Sequence, residues 1–61
     1  MDKQKLLNTI EETAKEYGWS LDVALDRLEQ IGFKIAEAEG NERFTESHVK
    51  MSVDFAYNAF R

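Results

Sequence analysis

The chain predicts an all-α fold, a compact domain of three helices, and three observations lead there. It holds no proline and three glycines, which fits neither a loop-rich nor a β-rich protein. Its apolar residues recur at spacings of three and four, the period of an amphipathic helix. Capping residues stand where those periodic stretches begin, at Asp2, Ser20 and Thr45.

The first helix is expected over about residues 2–17. Asp2 caps it, and Met1 and Leu6 take the two positions of a hydrophobic staple. Leu6, Ile10, Ala14 and Tyr17 then form one apolar stripe, widened by Leu7 and Thr13. Gly18 stands where a left-handed C-terminal residue is preferred.

Ser20 caps the second helix, and Asp22 in its first turn suits the positive end of the helix dipole. Leu21, Ala24, Leu25, Leu28 and Ile31 line one face. Gly18, Trp19 and Ser20 thus form a helix-stop-start junction, the grammar of helix-turn-helix proteins.

Past Gln30 two readings stay open. Ala24, Leu28, Ile31, Ile35 and Ala38 keep helical spacing, so one helix over about residues 20–38 is expected. In that helix Gly32 costs about 1 kcal/mol against alanine, and Phe33 points outward. Alternatively Gly32 ends the helix. Phe33 and Ile35 then alternate with Lys34 and Ala36 as a short strand, and Gly40-Asn41 returns it to Arg43-Phe44 as a small wing. The Ala36–Glu39 run favours helix by propensity, while Ile31-Gly32-Phe33 favours a stop.

The third helix, about residues 45–60, has the strongest start signal. Thr45 caps it, with Phe44 and Val49 at the staple positions. Val49, Ser52, Val53, Ala56 and Phe60 make its stripe, and Met51 and Phe55 fall outside. So wide an apolar arc suggests burial between helices or against a second molecule.

Size limits what this domain does. Its 61 residues make one domain, which buries only about 60% of its unfolded surface. There is no cysteine, so disulfides and thiolate metal sites are excluded. With a single histidine, His48, no zinc site of ordinary spacing is expected, and no cofactor. Association with another chain is the remaining source of extra burial. No run approaches the ~18 apolar residues of a membrane span, and Met1–Lys5 leads into an amphipathic segment rather than a secretory signal. A cytoplasmic protein is expected.

The net charge of −4 is uneven. Residues 1–19 carry −1, residues 20–39 carry −3, and residues 40–61 balance. A helix built to enter a nucleic-acid groove should not be negative. Asp22, Asp26 and Glu29 instead form an acidic stripe suited to a basic protein partner.

The segment Ala14-Lys15-Glu16-Tyr17-Gly18-Trp19-Ser20, followed by Leu25, Leu28 and Ile31-Gly32-Phe33-Lys34-Ile35, resembles the small N-terminal helical module of bacterial translation initiation factor 2. That pattern reads alanine-lysine-glutamate, a residue, glycine, a residue, serine, a leucine-spaced helix, then leucine-glycine-isoleucine-lysine-valine. The Phe44-Thr45-Glu46 start fits its closing helix, and the match covers about residues 13–55. The resemblance implies a compact helical fold and carries over no translation role. The chain departs from helix-turn-helix repressors in lacking basic residues on its second helix, and from ribbon-helix-helix repressors in lacking a strand before the first.

Catalysis is not expected. Ser47 and His48 are neighbours on a helix, ~100° apart, and do not form a nucleophile–base pair. Glu11, Glu12, Glu16, Glu37 and Glu39 read as solvated carboxylates. No glycine-rich phosphate loop occurs. The expectation is a small acidic regulator that acts by protein–protein binding, in the style of phage or mobile-element accessory proteins. Its partner is a basic protein or a second copy in a homodimer. The binding candidates are Asp22, Asp26, Glu29, Phe33, Met51 and Phe55, because aromatics and methionine anchor interfaces. The alternative is a helix-turn-helix module for DNA or RNA, using scattered Lys3, Lys5, Lys15, Lys34, Arg43, Lys50 and Arg61.

Overall fold

A computed structural model describes residues 1–61. The fold is all-α, with four helices rather than the three expected: α1 (Lys3–Lys15), α2 (Leu21–Gln30), α3 (Ile35–Ala38) and α4 (Glu46–Phe60). No helix is long and apolar enough to cross a membrane.

Each long helix starts at the expected cap. Asp2 accepts from the Lys5 amide at 2.8 Å, Ser20 from Val23 at 3.3 Å, and Thr45 from His48 at 3.4 Å. At Thr45 the cap is reciprocal, since His48 Nδ1 accepts from the Thr45 amide at 3.3 Å. A histidine here does the work that glutamate or glutamine does in most such boxes.

α1 ends two residues short of the expected Tyr17. The amides of Glu16 and Tyr17 reach back only three residues, to Thr13 and Ala14, which tightens the last turn. Gly18, at φ +75°, then reverses the chain. Trp19 donates to the Ala14 carbonyl and Gly18 to that of Lys15, the paired bonds of a Schellman stop.

The same device corrects the single helix expected over residues 20–38. Gly32 takes φ +92°, Phe33 donates to Leu28 and Gly32 to Glu29. α2 ends there, and Phe33 turns back to pack half-buried on the core instead of pointing outward. The wing is corrected as well. Residues 33–44 form no strand but the four-residue α3 flanked by turns. Ala38 reaches the core from α3, so the helical spacing that linked it to Ile31 spans a chain reversal.

The core is small. Its nine buried apolar residues are Leu6, Ile10, Ala14, Ala24, Leu28, Ala38, Val49, Val53 and Ala56. α4 packs on both α1 and α2, and α1 packs on α2. Four of the nine are alanine, so the backbones approach closely and little room is left for aromatics. Thr9 and Thr13 are also buried, and their hydroxyls donate to the carbonyls of Lys5 and Thr9 at 2.9 and 2.8 Å. At the N-terminus the Met1 carbonyl accepts from Gly40 at 2.9 Å, tying the α3–α4 loop to the start of α1.

Gly32 separates a stopped helix from a continuous one. A Cβ at Gly32 would meet no atom within 4 Å. Gly32→Ala is therefore expected to lower stability by ~1–2 kcal/mol through the left-handed backbone alone. A continuous helix would instead gain about 1 kcal/mol from alanine. Urea unfolding monitored by circular dichroism reads the sign.

Candidate protein-binding groove

Where α2 stops, the chain leaves a groove between the α2–α3 turn and α4. This open groove has a volume of about 480 Å³. Ile31, Phe33 and Phe44 supply its apolar floor, and Met51 and Phe55 stand along the α4 wall. Phe33 meets Phe44 edge to face, with ring centroids 5.4 Å apart. His48 lies against Phe44 at 5.8 Å, and Lys34 and Glu37 edge the opposite wall.

The α4 wall is open to solvent. Met51 is 65% and Phe55 64% exposed. They lie one turn apart, on the face beside the buried Val49, Val53 and Ala56. The other exposed large apolar side chains are Phe60 and Val23, at 40% and 37%. Phe60 is covered in part by the Arg27 guanidinium, 5.3 Å from its ring centre.

Three of the six binding candidates thus converge: Phe33, Met51 and Phe55 line one groove. The acidic three do not join them. Asp22, Asp26 and Glu29 are exposed on the side of α2 away from Ala24 and Leu28. Asp26 is also engaged, accepting from Arg27 at 2.6 Å and Gln30 at 2.8 Å. Phe44 joins the groove although its position before the cap marked it only as a staple residue. Its second role depends on the reversal at Gly32, which brings Phe33 to it.

The junction residues Gly18, Trp19 and Ser20 close a different cluster. Tyr17 stacks on Tyr57 at 4.1 Å, and Trp19 tilts against both rings at 6.3 and 5.7 Å. The Tyr17 hydroxyl donates to the Asp54 carboxylate. Trp19 and Tyr57 are half-buried in this cluster.

A mixed-charge depression lies on the same side, lined by Glu12, Thr13, Glu16, Lys50 and Asp54. His48, the sole histidine, is exposed and committed to the α4 cap. No group of three or more histidine, cysteine or carboxylate side chains is placed to hold a metal ion. Comparison with protein-family models, with curated proteins and with solved structures finds no match to this chain.

The hydrogen bond to Asp54, aided by desolvation and by that carboxylate's charge, pushes Tyr17 up from 10.0 to about 12. A phenolate would face a carboxylate, so the folded state holds this proton more tightly than the unfolded chain. The resulting stabilisation is complete below pH 10.0 and is lost as pH rises through about 12. Ultraviolet titration of tyrosinate is expected to show one late-ionising tyrosine that Tyr17→Phe or Asp54→Asn abolishes. A Tyr17 that ionises at its ordinary pH would contradict the contact.

Proposed function

We propose that this chain is a small, non-enzymatic protein-binding module that engages a protein partner through the groove between the α2–α3 turn and α4. One observation carries the reading. Two large side chains, Met51 and Phe55, stand about two-thirds exposed beside an apolar floor of Phe33 and Phe44. Desolvated aromatic and methionine anchors over such a floor are what interface centres are made of. Single exposed apolar residues are ordinary on small proteins; Met51 and Phe55 are distinguished by lining one concave surface together.

Charge supports protein over nucleic acid. The outward face of α2 would have to enter a nucleic-acid groove, and it presents Asp22, Asp26 and Glu29. A phosphate backbone repels that face. The translation-factor resemblance is a proposal about layout alone and does not bear on the partner.

A photoreactive phenylalanine analogue at position 55 tests the reading in cells. A discrete covalent adduct with protein is expected, and none with the analogue at exposed position Asn8 on α1. An adduct with nucleic acid, or salt-sensitive retention of the chain on a DNA column, would overturn the proposal. Phe55→Ala is expected to change folding stability by less than ~1 kcal/mol, because the ring is mostly solvated already.

A further inference from the structure

Taking the protein-binding reading of the groove as its basis, we infer that the occupant of this face is a second copy of the same chain, docked about a two-fold axis with the two α4 helices facing each other. Charge is the first argument. An isologous contact sets a patch against itself, so any net charge on the patch meets the same charge. The chain carries −4 overall, yet this face is neutral. The outward arc of α4, His48, Met51, Ser52, Phe55, Asn58 and Ala59, includes no Asp, Glu, Lys or Arg. The charges of α4 lie elsewhere: Glu46, Lys50 and Asp54 fall in one row at i, i+4 and i+8, on the side that meets α1 through the Lys5–Glu46 and Tyr17–Asp54 contacts.

The opposite wall repeats the pattern. Its two charges, Lys34 and Glu37, are of opposite sign and three residues apart on one short element. The pair adds no net charge to the face, so it sets up no net repulsion between two copies. A basic partner would gain nothing here, because the acidic stripe of α2 projects away from the groove.

Packing supplies the second argument. The largest fully buried side chains are Leu6, Ile10, Leu28, Val49 and Val53, and no aromatic is among them. The largest apolar groups lie outside the core, and a 61-residue chain without cysteine gains most from burying them. Met51 and Phe55, one turn apart, suit antiparallel self-packing, since the adaptable thioether of one copy fits against the ring of the other.

Sedimentation equilibrium of the full chain tests this. A monomer–dimer equilibrium is expected in the micromolar to sub-millimolar range. Phe55→Glu and Phe55→Lys, each alone, are expected to weaken dimerisation by about tenfold or more, since each sets like charges together in a desolvated contact. Both should keep the wild-type helical circular dichroism spectrum, because position 55 is outside the core. Mixing the two variants should restore association. A wild-type chain that stays monomeric at sub-millimolar concentration overturns the inference, and so does a dimer indifferent to both variants or a mixture that fails to re-associate. A monomeric wild type whose position 55 still cross-links to a different protein overturns the second copy alone and leaves the protein-binding reading standing.

Discussion

The left-handed turn at Gly32 is the constraint on which the candidate site depends. At φ +92° the chain reverses after one glycine, and the Phe33 amide closes back onto Leu28. That reversal does two things at once. It ends α2 before its apolar stripe can continue into α3, and it delivers the Phe33 ring to Phe44, 5.4 Å away. Without it, Phe33 would lie on the far side of a long helix and the groove would have no floor. A residue with a Cβ resists this backbone, so the shape of the surface rests on one missing methyl group.

The small core explains where the aromatic side chains went. Alanines at 14, 24, 38 and 56 make up nearly half of the buried apolar residues, and the rest are leucine, isoleucine and valine, with no aromatic among them. The large rings are therefore distributed around the outside. Tyr17, Trp19 and Tyr57 close the α1–α2 junction against the end of α4. Phe33 and Phe44 form the groove floor, and Phe55 stays 64% exposed along its wall. Close packing of dense, small side chains and the export of large ones are one physical choice, and the second half of it leaves Met51 and Phe55 on the surface.

Charge is sorted with the same economy of space. The acids of α2 face outward, the mixed charges of α4 lie beside α1, and the arc carrying Met51 and Phe55 has none. Acidic groups on the open faces keep the small domain hydrated, while the uncharged arc can lose its water without stranding an ion. The charged and the uncharged apolar surfaces thus lie on different sides of a domain only 30 × 20 × 18 Å across.

The sequence by itself determined the helical class and the three strong helix starts, because caps and staples are local chemistry: a side chain bonding an amide three residues away needs no partner from elsewhere. It determined the stop at Gly18 for the same reason, and it singled out Met51 and Phe55, since helical period alone placed them off the buried stripe. Only the tertiary structure decided between the long helix and the stop at Gly32. Both readings satisfy the apolar spacing, and the choice turned on whether Phe33 gained more from the core than a glycine-bearing helix gained from continuing. Only the tertiary structure, too, separated the acidic stripe from the aromatic groove and gave Trp19 and Tyr57 their places. Which face of one helix meets which face of another is a property of packing between distant segments, and periodicity along a single segment carries no information about it.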